Sequence, residues 1–241
     1  MLKSHIFHLL DLESIRHMTK LRIMSVRFST PVTMSELPKF RGAVIASAGH
    51  KNDLFHNHQN EGFSYRYPLL QYRIMGGNAG LVCLNEGIEQ MQNLLGSEFL
   101  LRPIEFAGRS EQVVVEDMRI NELELCFLEQ PVCYHISHWL PFNQENYRQW
   151  QELSTDEERL TRLNSLLVGN IISFAKGIGW QLDERVEVNI DASTIASRYI
   201  YHKAKRLIAV SADFEANILL PRGIALGKGV SLNKGIVTTQ K

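Results

Sequence analysis

The alternation of hydrophobic and polar residues divides the first half of the chain into strands and helices. Residues 20–28 alternate and predict a strand, and apolar residues at helical spacing before Gly49 predict the first helix. The remaining predicted elements of this half are a strand at 64–73, a turn at 76–78, a strand at 79–84, a helix at 88–95 and a strand within 100–106. This β-α-β-β-α-β order is that of a ferredoxin-like unit.

The second half has a similar but less regular pattern. Its strongest helix is predicted to begin at a capping box formed by Ser154 and Glu157 and to end at Gly177. Strands are predicted within 112–127, 132–140, 180–190, 199–201, 207–220 and 236–238, and a short polar helix at 143–153. We interpret this half as a modified repeat of the first unit. The predicted fold class is therefore α+β, with two tandem ferredoxin-like (RRM-like) domains built on antiparallel sheets.

The predicted organisation has an N-terminal extension at residues 1–18 and domains at 19–108 and 109–241. The 26 basic and 26 acidic residues of the 241-residue chain balance, but they are unevenly placed. Residues 105–158 carry twelve acids and three bases, whereas residues 198–241 carry eight bases and two acids. Such asymmetry is expected when one face of a protein meets an anion.

The sequence argues against a zinc-cluster protein, a disulfide-rich protein, a membrane protein and a secreted protein. The cysteines Cys83, Cys126 and Cys133 have no CxxC spacing, so neither a zinc cluster nor a disulfide framework is indicated, and we expect buried thiols. Every apolar run is too short to cross a bilayer, and the first residues lack a signal-peptide core. We expect a cytoplasmic protein that does not associate with membranes.

Several groups that titrate near neutral pH follow the first helix. They are His50, Lys51, His56 and His58, with Tyr65 and Tyr67 on the next predicted strand. His56 and His58 would point the same way in an extended segment, so they suit either metal ligation or acid and base catalysis. Three interpretations are open: a metal site, solvated histidines without a role, and RNA cleavage by the 2′-hydroxyl. In the last, two groups transfer protons and a cation stabilises the phosphorane.

A second candidate site is the glycine-rich segment 223–235. Gly227 and Gly229 allow backbone N–H groups to approach a phosphate, and Lys228 and Lys234 add positive charge. The segment lacks the ending and spacing of a Walker loop, so nucleotide hydrolysis is not indicated. A flexible turn before an edge strand is the alternative. Lys176, near the end of the long helix, suits either the helix dipole or an RNA phosphate.

Six motifs in order resemble the sixth CRISPR-associated (Cas) family of endoribonucleases, which cut precursor CRISPR RNA within its repeats. The motifs are FRGAVI (40–45), LFHNH (54–58), YRYPLLQY (65–72), NQENY (143–147), GNIISFAKGIGW (169–180) and LGKGVS (226–231). The resemblance covers about residues 20–238. It implies two domains of the repeat-associated (RAMP) superfamily and metal-independent cutting that leaves a 2′,3′-cyclic phosphate. It also implies that the glycine-rich segment helps to hold RNA.

The resemblance also assigns roles to residues. The family's catalytic histidine follows the first helix, which favours His56 and His58, with His50 third. Lys51 and Tyr65 or Tyr67 would assist them. The RNA is expected on a basic surface that includes Arg41, Arg66, Arg73, Lys176, Gly227, Lys228, Gly229 and Lys234.

The expected partners are CRISPR repeat RNA, as precursor and as mature crRNA, and subunits of a CRISPR effector complex. No cofactor is expected, and the protein would be a monomer or a homodimer. Two alternatives stay open at this point. One is a non-catalytic subunit that binds repeat RNA, and the other is a metal-dependent phosphohydrolase that uses His56 and His58 as ligands.

Overall fold

The computed structural model describes residues 18–48, 67–202 and 205–239. The first domain contains a four-stranded antiparallel sheet in the order β2-β3-β1-β6. Its elements are β1 Thr19–Pro31, α1 Leu37–Ala48, β2 Leu70–Met75, β3 Asn78–Leu84, α2 Glu86–Leu95, β4 Ile104–Phe106, β5 Arg109–Glu111 and β6 Val115–Leu125. This strand order is that of a ferredoxin-like unit, as the sequence predicts.

The strand that completes this sheet differs from the expectation. The strand expected within 100–106 forms at Ile104–Phe106, but it pairs only with β5 in a separate two-stranded ribbon. β6 takes the edge position instead and pairs with β1 from Thr19↔Leu125 to Phe28↔Val115. Most of β6 is exposed on both faces, so its sequence lacks the alternation that marks a half-buried strand. This strand therefore lies beyond residue 108, where the domain boundary was expected.

α1 and α2 cover one face of the first sheet and form its core. Met24, Val26 and Phe28 of β1 are fully buried, and the ring of Phe28 lies 6.0 Å from that of Phe40 on α1. The apolar positions of α2 complete this layer, with Ile88 and Met91 fully buried. The hydrophobic spacing therefore places both helices correctly.

The second domain repeats the unit with one change. Its elements are β7 Phe127–Trp139, α3 Gln144–Glu152, α4 Asp156–Gly177, β8 Val188–Ile190, β9 Ala196–His202, β10 Lys205–Ile218 and β11 Ile236–Thr239. The strand order is β11-β7-β10-β8, and β9 also pairs with β10. A ferredoxin-like unit has a helix between its third and fourth strands. Here the irregular segment 219–235, hereafter the glycine-rich loop, takes that place.

The helix α4 forms the centre of the second core. Its buried residues include Leu163, Leu167, Ile171 and Phe174, which are the apolar positions at helical spacing. Its capping box is formed by Thr155 and Glu158, one residue later than predicted. The Thr155 side chain accepts a hydrogen bond from the Glu158 amide at 3.2 Å, and Glu158 Oε2 accepts from the Thr155 amide at 2.9 Å.

The two domains share a hydrophobic core. Leu21 and Leu84 of the first sheet belong to the same buried cluster as α4 and the second sheet. The end of α4 lies so close to the first domain that a Cβ added at Gly177 would stand 2.3 Å from the Cβ of Tyr67. The side-chain Nδ2 of Asn85 donates a hydrogen bond of 3.2 Å to the Ile178 carbonyl. The domains are therefore packed together and not merely tethered.

Two expectations drawn from composition can be compared with the structure. Cys83 and Cys126 are buried as expected, but Cys133 is exposed, because its position on β7 faces away from α4. None of the helices in the described ranges is long and apolar enough to span a membrane.

The contact between α4 and the first domain can be tested by mutation. We expect Gly177→Ala to destabilise the protein by about 1–3 kcal/mol, because the new methyl group overpacks the interface. Gly169→Ala in the same helix is the matched control, since nothing lies within 4 Å of its added Cβ. That change should stabilise the protein by up to about 1 kcal/mol. Urea unfolding followed by tryptophan fluorescence measures both, and equal midpoints for the two variants would contradict the packing.

Candidate nucleic-acid interface

The predicted catalytic residues fall largely in one segment. Five of them lie outside the described residues: His50, Lys51, His56, His58 and Tyr65. The predicted RNA-binding residue Arg66 lies outside them as well. Their roles therefore stay predictions. The segment begins directly after α1, whose residues Arg41 and Ile45 line a cleft described below.

Tyr67, the sixth predicted catalytic residue, has a structural role. It is only 8 % exposed, and its hydroxyl donates a hydrogen bond of 2.7 Å to the carbonyl of Ala225 in the glycine-rich loop. Burial raises the pKa of Tyr67 to about 12, so the phenol keeps its proton at neutral pH. A buried, bonded phenol cannot exchange protons with a bound RNA. The expectation that Tyr67 assists catalysis is therefore corrected.

The glycine-rich loop lies against the open edge of β2. The amide of Tyr72 donates to the Ser231 carbonyl at 3.1 Å, and Tyr72 and Leu232 form a parallel bridge. On the adjoining side, the amide of Gly235 donates to the His138 carbonyl at 3.2 Å. The loop is thus held between an edge strand of the first domain and β7 of the second.

Arg73 fastens this loop from inside and is not part of an RNA-binding surface. It is 3 % exposed, and its guanidinium donates to the carbonyl of Val230 at 2.9 Å and to the side chain of Gln71. Burial lowers the pKa of Arg73 to about 10, so it still carries its charge at neutral pH. The expectation that Arg73 contacts RNA is therefore wrong, because the Arg73 side chain points into the domain interface.

The loop glycines are needed for backbone shape and close packing. At Gly227, φ is +89°, and an added Cβ would lie 2.6 Å from Nε1 of the Trp139 indole. At Gly235, φ is +65°, and a Cβ would lie 1.9 Å from the Leu226 carbonyl oxygen. Gly229 also has a positive φ of 76°. In the part of the chain that the structure describes, the amides of Gly227 and Gly229 donate to no backbone carbonyl.

A cleft of about 610 Å³ separates α1 from the glycine-rich loop. Arg41 of α1, Lys234 of the loop and Tyr201 of β9 are among the residues that line it. Arg41 is held in place because it donates to the Ser231 hydroxyl at 3.3 Å and lies 5.9 Å from the centroid of the Tyr72 ring. Two predicted RNA-binding residues are thus brought together in one cleft.

Lys228 lies in a second, smaller cavity. This cavity of about 280 Å³ is lined by Lys228, Tyr147, Tyr199 and Arg206, among others. The Arg206 guanidinium stacks on the Tyr199 ring, 3.8 Å from its centroid. Lys176 is exposed in the last turn of α4 and lines neither cavity.

The sequence also contains a signal for two exposed tyrosines that are not among the predicted site residues. Residues 198–206 read RYIYHKAKR, in which basic side chains alternate with tyrosines, a composition typical of nucleic-acid surfaces. Tyr199 and Tyr201 are 56 % and 78 % exposed in the structure, which suits them to stack on unpaired bases. The pairing of β9 with β10 brings Arg206 opposite Tyr201.

The acidic strand β6 lies away from the loop. β6 carries Glu116, Asp117, Glu122 and Glu124, and it forms the edge of the first sheet opposite to β2. Two of these carboxylates are paired with bases on β1, since Lys20 lies 3.1 Å from Glu122 and Arg27 lies 3.3 Å from Glu116. The carboxylates of β6 are therefore too far from the cleft to repel a polyanion bound there strongly.

Comparisons with known proteins bear on both halves of the chain. Residues 19–124 match the family model of the Cas6b N-terminal domain, and residues 126–240 match that of the Cas6b C-terminal domain. The uncharacterized protein MJ0978 of Methanocaldococcus jannaschii is 25% identical over 138 residues, which are 57% of this chain and 92% of that protein.

Two solved structures have a similar fold. One, described as "Crystal structure of Cas6b", has a TM-score of 0.78 at 20% identity. The other, described as "Crystal structure of CRISPR RNA processing endoribonuclease Cas6b", has a TM-score of 0.67 at 19% identity. Each alignment covers 92% of this chain and 100% of the other.

The role of Arg73 gives a prediction. Arg73→Met removes the donor to Val230, and a buried acceptor left without a partner costs about 1–3 kcal/mol. We expect the free energy of unfolding to fall by that amount and RNA affinity to fall as well, although Arg73 itself contacts no RNA. Arg102→Met is the control, because Arg102 is an exposed partner of Glu98 and should change stability by less than about 0.5 kcal/mol. An Arg73→Met protein with wild-type stability would contradict this role.

Proposed function

Because the chain belongs to the Cas6b family, whose two domain models it matches in consecutive order, we propose that it is an endoribonuclease that cuts precursor CRISPR RNA within its repeats. That consecutive match carries the proposal. It is supported by the basic cleft between α1 and the glycine-rich loop, which has the charge that an RNA backbone requires.

The proposed reaction is attack by the 2′-hydroxyl on the adjacent phosphate. One imidazole of the pair His56 and His58 takes the proton from the 2′-oxygen as it bonds to phosphorus. The other gives a proton to the 5′-oxygen as its bond to phosphorus breaks. The products are a 2′,3′-cyclic phosphate and a 5′-hydroxyl. His50, Lys51 and Tyr65 are the remaining candidates to assist, Lys51 by stabilising charge on the phosphorane.

The proposed RNA path follows the cations that the fold brings together. Phosphates in the cleft would contact Arg41 and Lys234, and Lys228 would hold the strand further along the glycine-rich loop. Tyr199 and Tyr201 are placed to stack on unpaired bases. The histidine segment follows α1 in the sequence, and Arg41 and Ile45 of α1 line the cleft.

Replacement of both histidines tests the catalytic assignment. We expect the double variant His56→Ala with His58→Ala to reduce the cleavage rate by at least about 100-fold, the contribution typical of general acid and base groups. The substrate is repeat RNA from the organism that encodes the protein. Affinity should change little, because binding depends on other cations. Arg102→Ala is the control, since Arg102 is exposed, pairs with Glu98 in the first domain and lines neither cavity. If the double variant cuts like the wild type, the assignment is wrong, and if the wild type binds repeat RNA without cutting it, the protein is a binding subunit.

Chelation tests the metal-independent mechanism. Cleavage in excess EDTA should proceed at the rate measured without EDTA, because the proposed proton transfers use only side chains. RNA with a 2′-deoxy sugar at the scissile nucleotide is the control and should resist cutting. Loss of cutting in EDTA, restored by added divalent metal, would instead support a metal-dependent phosphohydrolase.

A further inference from the structure

Three basic side chains meet at one end of the second sheet. Arg198 comes from β9, His138 from β7, and Lys234 from the residues just before β11. The arrangement depends on a β-bulge, because Trp139 pairs with Val210 and Ile136 with Ala212, so that two residues of β7 stand opposite Ser211 alone. Bulges redirect side chains in this way. His138 has a φ of +51°, and its amide donates to the Ser211 hydroxyl at 3.0 Å.

The contacts within this cluster require a neutral imidazole. The Arg198 guanidinium donates to Nε2 of His138, which can accept only when that nitrogen carries no proton. Burial, followed by the charges of Arg198, Lys234 and His135, lowers the pKa of His138. Burial and the charge of Arg198 likewise lower the pKa of Lys234. The three groups are therefore close enough to repel one another.

No described carboxylate offsets this charge. Neither Arg198 nor Lys234 forms an ion pair with any acid in residues 18–48, 67–202 and 205–239. Asp213, an acid on β10, is engaged by Nδ1 of His135 at 2.6 Å. Clustered cations without a counter-charge are destabilising unless an anion binds there. Lys234 also lines the cleft that contains Arg41, so the cluster adjoins the proposed RNA path.

We propose that Arg198, Lys234 and His138 bind one phosphate of the RNA backbone and that His138 takes up a proton from solvent when that phosphate binds. This inference rests on the proposed function and adds a site that the family match does not assign. The guanidinium turns from His138 to the phosphate, which frees Nε2 to be protonated. The groups that face His138 are Arg198 of β9, Lys234 before β11, Ser211 of β10 and His135 of β7.

The sign of the pH dependence follows from proton linkage. In free protein the pKa of His138 lies below its ordinary value, so the ring is neutral at pH 7. A bound phosphate raises that pKa, so the complex holds more protons than the free protein at a pH between the two values. Affinity therefore rises as pH falls through that range, by at most about tenfold per pH unit for one proton. The increase in affinity ends below the pKa that His138 has in the free protein.

The test uses repeat RNA with a 2′-deoxy sugar at the scissile nucleotide, and binding is measured at pH 6, 7 and 8 at fixed ionic strength. Arg198→Gln should weaken binding by about tenfold and make the log–log salt dependence shallower by about 0.7. His138→Asn keeps a residue that tolerates positive φ. This variant should bind RNA nearly as well as wild type at pH 8, but its affinity should increase several-fold less than that of wild type between pH 8 and pH 6.

Arg185→Gln is the matched control, because it removes the same charge from an exposed residue beside β8. The phosphate site is refuted if Arg198→Gln has the affinity and salt dependence of Arg185→Gln. Proton uptake is refuted if His138→Asn keeps the full pH response of the wild type. Cleavage of the normal repeat RNA is measured in parallel. If the wild type neither cuts nor binds repeat RNA, the proposed function itself fails. If the wild type cuts but the variants behave like the control, only the phosphate site fails.

Discussion

The glycine-rich loop of the second domain docks on the open edge of β2 in the first domain, and the cleft depends on this contact. An edge strand presents backbone groups without partners, which a stable fold must pair or cover. Here the Tyr72 amide is bonded to the Ser231 carbonyl, and Arg73 and Tyr67 add bonds to the carbonyls of Val230 and Ala225. Donors from the first domain thus fix the path of a segment that has no regular structure of its own.

This docking explains where the positive charge lies. The loop replaces the second helix of the ferredoxin-like unit, so its lysines occupy the domain junction rather than a helix surface. Lys234 and Arg41 then line the same cleft, and the hydrogen bond from the Gly235 amide to the His138 carbonyl holds Lys234 near that histidine. The acidic strand β6 is at the far edge of the first sheet, so its carboxylates are separated from the cleft by the width of that sheet.

The sequence predicted the features that depend on local pattern. The two ferredoxin-like units, α2, α4 and the hairpin between β2 and β3 follow from periodicity and turn residues. It did not predict features that depend on distant contacts. Tyr67 and Arg73 look like surface groups in an alternating strand, but both are buried because a loop more than 150 residues later covers them. The pairing of β6 with β1 was not predicted, because an exposed edge strand carries little hydrophobic pattern.

The same limit applies to the site. The position of Arg41 and Lys234 on one cleft could be expected only in general terms, as a shared basic surface. The cluster around His138 could not be anticipated, since it depends on a bulge that a sequence pattern does not reveal. The tyrosines of β9 could have been found from their alternation with basic residues.

Loop docking and the shared core should make the two domains one cooperative unit. Denaturant unfolding with two probes tests this directly. The tryptophans Trp139, Trp150 and Trp180 all report on the second domain, and the buried thiol of Cys83 reports on the first through its labelling rate, resolved by mass spectrometry. We expect one unfolding transition, in which tryptophan fluorescence and Cys83 labelling change at the same denaturant concentration. Two separate midpoints would contradict it.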